Sequence, residues 1–260
     1  MNTLPGLFHP ARSIAAFAAL SLSSLALATE PAAFTGAPVT VGLGTARVLV
    51  MTNASNAPDS ISVVLTKEAL NGLPDARPDQ MAWEFELPMP DTGPRTGFDH
   101  VVLDWNPAGH PPDGVYSVPH FDVHFYVISN GERAAVTFHG DGRQVAMAAP
   151  DPQLVPAGYV VPPDAAVEKM GMHGLDPAGG EFHGAPFSHT FIYGYYKGEL
   201  TFVEPMISLA FLQSLPEVTS PVRKPQRYSR PGWYPATYRI GFDAARGEYT
   251  IALQNLQRFD

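Results

Sequence analysis

Short runs in which apolar and polar residues alternate recur along the chain, and turn-forming residues separate them. Residues 81–87 and 120–129 are clear examples, and residues 101–105 form a further, mainly apolar strand run. Such alternation is typical of β-strands, whose side chains point to opposite faces in turn. The 23 glycines and 27 prolines favour turns and shorten any helix. About ten such runs predict an all-β fold, either a β-sandwich or a jelly-roll-like barrel, with one or two short helices.

Two turn signals predict hairpins between neighbouring strands. Residues 187–195 and 199–206 have strand patterns and flank Lys197-Gly198, which fits a two-residue turn. Asn130-Gly131 is also typical of a hairpin turn. Residues 134–139 are therefore expected to pair with the strand that precedes this turn.

Helical segments are expected at a few places only. Residues 67–70 fit one helical turn, residues 164–170 a short helix that stops at Gly171, and residues 207–214 a second short helix. Residues 238–253 predict a closing hairpin. Since no linker divides the chain, we predict a single β-rich domain over residues 29–260.

The N-terminus has the pattern of a secretory leader. Arg12 precedes an uncharged apolar run over residues 13–27, and Ala26 and Ala28 form a small-x-small cleavage site. The alternative is a membrane anchor, but the run is shorter than the ~20 residues that a span needs. We predict a signal peptide over residues 1–28, and a periplasmic or secreted protein without membrane contact after cleavage.

Charge and the lack of cysteine exclude several classes of function. The formal net charge is -9, which argues against nucleic acid as a partner, because phosphate binding requires clustered Lys and Arg. Cysteine is absent, which excludes disulfides, thiol catalysis and cysteine-ligated metals. The remaining ligand types are His, Asp and Glu, which suit Zn, Mn, Fe, Cu(II) or Ca.

Three potential metal ligands lie on one face of a predicted strand. His120, Asp122 and His124 alternate with apolar residues. Neighbours on one strand face are about 6.6 Å apart, so each histidine can share an ion with Asp122. The two histidines are about 13 Å apart and reach the same ion only if both rings lean inward or a bulge shortens the strand. The alternative is a pair of hydrogen-bonded histidines without metal.

Further candidate ligands lie on the predicted hairpin and in a glycine-rich segment. With a regular two-residue turn, Phe191 lies opposite Glu204, and His189 becomes a diagonal neighbour of Glu204 on the same face. This His–Glu pair can share a metal ion or, alternatively, only stabilise the sheet. His173 lies between glycines that allow close backbone approach. Surface or loop positions are expected for His100, His110 and His183.

These residues together predict one divalent metal site that lines a β cavity, with an open coordination position for chemistry on a small molecule. The predicted ligands are His120, Asp122, His124, His173, His189 and Glu204. The alternative is a non-catalytic envelope protein that binds a small-molecule ligand or forms a structural homo-oligomer. The sequence does not distinguish an enzyme from a binding protein, and it does not specify the metal.

Four motifs resemble a family of exported bacterial proteins that is catalogued as a domain of unknown function. They are PHFDVHFY at residues 119–126, MGMH at 170–173, PFSHTFIYG at 186–194 and FVEPM at 202–206. The resemblance covers residues 39–212, and some members of the family are linked to envelope-stress sigma factors. It implies a mainly β fold and a homo-oligomer, but it implies no particular reaction.

Overall fold

The alternating runs form antiparallel β-sheets in the computed structural model of the protein, which describes residues 1–2, 30–163 and 165–260. In chain order the strands are β1 (Ala33–Thr35), β2 (Val39–Val41), β3 (Gly44–Thr52), β4 (Pro58–Thr66), β5 (Trp83–Leu87), β6 (His100–Asn106), β7 (His120–Tyr126), β8 (Ala166–Val167), β9 (Gly171–Gly174), β10 (His189–Tyr196), β11 (Glu199–Ser208), β12 (Glu217–Pro221), β13 (Gly232–Tyr234), β14 (Thr237–Asp243), β15 (Glu248–Gln254) and β16 (Gln257–Phe259). The short α-helices are α1 (Asn130–Ala134), α2 (Arg143–Ala146) and α3 (Leu209–Gln213), and the 3₁₀ helices are Lys67–Leu70, Pro152–Leu154 and Gly180–His183.

Two large sheets contain most of the strands. The first has the order β1-β3-β4-β15-β14-β12, with β2 paired to β3, and the second has the order β5-β6-β7-β11-β10-β9-β8. The strands β13 and β16 form a small separate ribbon. The all-β, sandwich-like fold class predicted from the alternation is confirmed.

The central strands of the second sheet, β6, β7, β11 and β10, are buried on both faces. Phe121, Val123 and Phe125 of β7 belong to the main hydrophobic core, together with residues of the first sheet such as Val63 and Ile251. The side chains that alternate with them on β7 point to the opposite face, and they are also buried. This opposite face of the second sheet is called the ligand face below, and loops cover it.

The hairpin of β10 and β11 forms around Lys197 and Gly198 as predicted, but its register differs from the prediction. A bulge at Thr201 adds one residue to β11, so Ile192, and not Phe191, lies opposite Glu204. A shift of one residue moves every later side chain to the other face of the sheet. Phe191 therefore lies in the main core, and the predicted face shared by His189 and Glu204 does not form.

Two predictions of secondary structure were wrong. Asn130 begins helix α1 and is not part of a hairpin turn, because Ser129 and Glu132 form a reciprocal capping box. Residues 134–139 consequently form no strand. The helix expected over residues 164–170 is replaced by strand β8 and a turn, and Asp164 lies outside the described residues.

Gly171 illustrates why the helix prediction failed. It has a φ of 130°, and a Cβ added there would lie 2.5 Å from the carbonyl oxygen of Tyr195. The glycine therefore permits close approach of β9 to β10 and does not stop a helix. By contrast, the structure confirms the helical turn at Lys67–Leu70, the helix within residues 207–214 and the closing hairpin.

The predicted leader lies outside the described part of the chain, because residues 3–29 are not described. In the described residues, no helix has both the length and the apolar character needed to cross a membrane.

Candidate metal centre

The strands β6, β7 and β11 lie side by side and bring polar side chains together on the ligand face. Asp104 of β6 and Met206 of β11 are the direct neighbours of Asp122 on β7. Asn106 lies opposite His120. These side chains are buried because the residues between them fill the main core, and the period of two leaves them no other face.

One group of potential ligands consists of His110, His120 and Asp122, and it is called the first cluster below. The Nε2 atom of His120 lies 3.2 Å from Oδ1 of Asp122. The Nε2 atom of His110 lies 3.2 Å from the other oxygen, Oδ2. Asn106 donates a hydrogen bond of 2.8 Å to Oδ2 and so helps to orient the carboxylate.

A second group consists of His124, His173 and Glu204, and it is called the second cluster. The Oε2 atom of Glu204 lies 3.6 Å from Nε2 of His124 and 3.9 Å from Nε2 of His173. The ligands come from the adjacent strands β7 and β11 and from β9, which β10 separates from β11. The buried His, Asp and Glu side chains of the two clusters can hold a metal ion.

Backbone carbonyls fix three of the four histidine rings. The Nδ1 atoms of His110, His120 and His173 lie 2.7, 2.7 and 2.9 Å from carbonyl oxygens. The acceptors are Pro111, Val118 and Ala165. With the Nδ1–H donated to a carbonyl, a neutral imidazole presents the lone pair of Nε2 to its cluster, which is the usual arrangement of a metal-binding histidine.

The fourth ring, that of His124, is held by a carboxylate. Its Nδ1 atom lies 2.9 Å from Oδ2 of Asp104, although the angle does not meet hydrogen-bond geometry. Asp104 is completely buried. A carboxylate behind a histidine increases the basicity of the ring and sets its orientation at metal sites.

Several of the inward-facing atoms are buried without a hydrogen bond. Among the described residues, the atoms His120 Nε2, Asp122 Oδ1, His124 Nε2 and Glu204 Oε2 have no hydrogen-bond partner. Leaving a buried polar group unsatisfied costs about 1–3 kcal/mol, and more for a charged group. These four atoms lie at two neighbouring points and make the two clusters the part of the ligand face with the most unsatisfied polar atoms.

The pKa values in the first cluster follow from the paired charges. Burial alone would lower the pKa of His110, but the hydrogen bond and the negative charge of Asp122 raise it to about 9. Burial opposes ionisation of Asp122, yet the two histidines hold its pKa well below the usual range. Asp122 is therefore an anion near neutral pH.

In the second cluster the pKa values are governed by complete burial. Burial raises the pKa of Glu204, although the charge of His124 opposes this rise. The pKa of His124 is lowered by burial but raised more by Glu204 and Asp104, to about 9. Burial lowers the pKa of His173 to about 4, so this imidazole is neutral at pH 7.

Both clusters face a single cavity of about 500 Å³, which is lined by residues from each of them. His110, Asp122, His173 and Glu204 form its floor. The cavity is partly open to solvent. An ion at either cluster could therefore bind a further ligand that enters through this opening.

An aromatic ring closes the second cluster on one side. Phe202 packs against His124 and His173, with ring centroids 4.7 and 5.5 Å away. A Cβ on Gly194 would lie 2.1 Å from this ring. Gly194 is thus required for the Phe202 ring to lie across β10 and to exclude water from this edge of the cluster.

The structure separates the predicted ligands into three groups. His120 and Asp122 come together in the first cluster. His124, His173 and Glu204 come together in the second cluster. His189 lies outside both clusters, and its Nδ1 atom is 2.8 Å from the hydroxyl oxygen of Tyr238 in the first sheet. His189 is separated from the clusters because the register shift in β11 places it on the opposite face of the sheet from Glu204.

Two histidines expected at the surface lie elsewhere. His110 is part of the first cluster, and His100 is buried and stacked on Tyr126. The loop that carries His110 has no periodicity from which its position could be predicted. Asp104 was also not predicted as a site residue. It is the single charge inside the apolar run of residues 101–105, and such a charge indicates a buried functional carboxylate.

Comparison with known proteins gives one partial match. A family model described as "TTHB210-like: Hypothetical protein TTHB210" matches residues 54–105. This segment is about a fifth of the chain, and it contains Asp104 but no residue of either cluster. No curated protein and no solved structure matches the chain.

Proposed function

We propose that the protein binds divalent transition-metal ions, one at each cluster, on the floor of the cavity. The observation that carries the proposal is the set of buried Nε2 and carboxylate oxygen atoms without hydrogen-bond partners. They face one another, while the opposite nitrogen of each ring is held by a carbonyl or by Asp104.

The distances between these atoms support the same conclusion. Two ligand atoms that lie ~2.1 Å from a tetrahedral ion are about 3.4 Å apart. The four His–carboxylate contacts in the clusters measure between 3.2 and 3.9 Å. Small movements of the side chains would therefore complete either site.

The chemistry of the ligands favours transition metals over the alkaline earths. Imidazole nitrogen binds Zn, Cu, Fe and Ni well, whereas Ca and Mg prefer oxygen ligands alone. Each cluster supplies three protein ligands. Three ligands leave a coordination position open, as in catalytic zinc sites, and the cavity gives access to it. A metal ion there would act as a Lewis acid on a bound small molecule.

Zinc titration of the protein over residues 29–260, purified without a histidine tag, tests the proposal. We expect two equivalents of bound Zn²⁺ by elemental analysis, and one equivalent after His124→Ala or His120→Ala. His139→Ala is the matched control, because the side chain of His139 is 83% exposed and remote from the clusters' ligand sets.

Two results would contradict the proposal. One is a protein that binds no Zn, Mn, Fe or Cu and keeps the same melting temperature with and without a chelator. The ligand face would then serve structure alone. The other is full zinc occupancy after both substitutions are combined.

Export of the protein is a second part of the proposal, and the leader-like pattern over residues 1–28 supports it. N-terminal sequencing of the protein from its native cells should begin at Thr29. A chain that retains Met1 would contradict export with cleavage. A homo-oligomer stays a prediction, which light scattering on the purified protein tests.

A further inference from the structure

The cavity above the two clusters has walls of one chemical kind. Apart from the floor, nearly all of the lining side chains are apolar or weakly polar. The walls contain Met81, Ala82, Pro111, Pro112, Tyr116, Pro162, Ala165, Ala166, Val167, Met170, Leu175, Ile192 and Met206. Walls of this kind bind the apolar part of a ligand and offer few groups that could solvate a charge.

The charges that line the cavity are confined to its floor. His110, Asp122, His173 and Glu204 are the titratable groups there, and within the described residues no Lys or Arg lines the cavity. In the metal-free protein Asp122 is paired with its histidines, so the floor offers an incoming anion no unpaired positive charge. A bound divalent ion reverses this, since it compensates the carboxylates and offers an open coordination position.

We propose that the cavity binds a small monocarboxylate with an apolar body, whose carboxylate coordinates the metal ion while its body packs against the walls. This inference rests on the proposed metal centre and specifies the class of ligand that the centre accepts. Binding requires the metal ion to coordinate the carboxylate, and the apolar walls to contact the rest of the ligand.

The size and the walls of the cavity define which carboxylates fit. A volume of about 500 Å³ lies within the range of sites for small organic ligands. A second charge among the apolar walls, away from the floor, would be desolvated without a partner, which disfavours long dicarboxylates such as octanedioate. Met81, Met170 and Met206 are flexible side chains that adapt to ligands of different shape. The site therefore fits a class of apolar acids and not one rigid molecule.

Calorimetric titration of the zinc-loaded protein with acetate, butyrate, hexanoate and octanoate tests the inference. Burial of each added methylene should increase the affinity about threefold to fourfold until the cavity is filled. Octanoate should bind at least about tenfold more weakly after zinc is removed by chelation. Two matched compounds separate the contributions: 1-octanol lacks the carboxylate, and octanedioate places a second charge among the apolar walls.

A substitution in the wall provides the control on the protein side. Ala82→Phe narrows the cavity without removing a ligand of either cluster, so octanoate affinity should fall about tenfold or more while two zinc ions remain bound. Ala245→Phe is the matched variant, because Ala245 is exposed in the turn before β15. It should leave both zinc and octanoate binding unchanged.

The results distinguish failure of the inference from failure of the metal centre. A protein that binds zinc as proposed but shows no octanoate binding overturns the inference alone. Equal octanoate affinity with and without zinc would also overturn the inference alone. Equal affinity for acetate and octanoate would do the same. A protein that binds no metal overturns the metal centre, and the metal-anchored ligand site fails with it.

Discussion

The two clusters differ in the elements that hold their ligands. All ligands of the second cluster lie on strands, and the side chains of His124 and Glu204 are 0% and 2% exposed. In the first cluster, His110 comes from the loop between β6 and β7, and its side chain is 36% exposed. The second cluster is therefore the more rigid and the better shielded of the two.

This difference has a consequence for metal affinity. Ligands that are already fixed lose little conformational freedom on binding, whereas a loop must be ordered at some cost. The low dielectric around a buried cluster also strengthens its attraction for a cation. We therefore expect the second cluster to bind zinc more tightly, and the first to exchange it faster.

The largest effect should follow from removing the carboxylate charge at one cluster. Glu204→Gln keeps the size of the side chain but replaces an anionic ligand by a neutral one, so zinc affinity at the second cluster should fall by more than about 100-fold. Asp122→Asn is the matched change for the first cluster. Competition with a chromophoric chelator measures both. Equal weakening of both sites by either substitution would show that the clusters act as one site.

A smaller effect is expected from the carboxylate behind His124. Asp104→Asn preserves the shape of the side chain but removes its charge, and it should lower zinc affinity at the second cluster by about 10–100-fold. The first cluster, whose rings are held by carbonyls, should keep its affinity. An unchanged zinc affinity at the second cluster would mean that Asp104 does not position His124.

The pH dependence of zinc binding should also be measurable at both clusters. In the metal-free protein, His110 and His124 have pKa values of about 9 and carry a proton at pH 7. Zinc must displace these protons, so its affinity should fall about tenfold for each pH unit below 9 at the first cluster, and more steeply below 8 at the second, where the raised pKa of Glu204 adds a second proton. Titration in two buffers of different ionisation enthalpy measures the released protons. Constant affinity from pH 6 to pH 9 would contradict ligation by these imidazoles.

The smallest effect should come from His189. Its hydrogen bond to Tyr238 is on the side of the first sheet, so His189→Ala should reduce the free energy of unfolding by about 1 kcal/mol. Zinc stoichiometry and affinity should not change. Urea denaturation and zinc titration of the same sample test both statements. Loss of a bound zinc ion in this variant would show that His189 is a metal ligand.

The sequence was sufficient to predict the fold class and the shared face of His120, Asp122 and His124, because both depend on the period of two. It did not predict His110, whose position depends on the path of a loop without periodicity. It also failed at Asn130-Gly131, where a side-chain cap by Ser129 and Glu132 outweighs the turn propensity of the pair. These features depend on contacts that strand periodicity does not encode.

The bulge at Thr201 sets which residues of β10 can reach the cavity. Its carbonyl accepts a hydrogen bond of 2.9 Å from the backbone N–H of Val127, so the extra residue is anchored to the neighbouring chain segment. If Thr201 instead paired with Gly194 as a regular ladder residue, the parity of β10 relative to β11 would invert. His189 would then move to the side of Glu204, while His173, which pairs with Gly194, would turn away from it, so this one unpaired residue decides which histidine joins the second cluster.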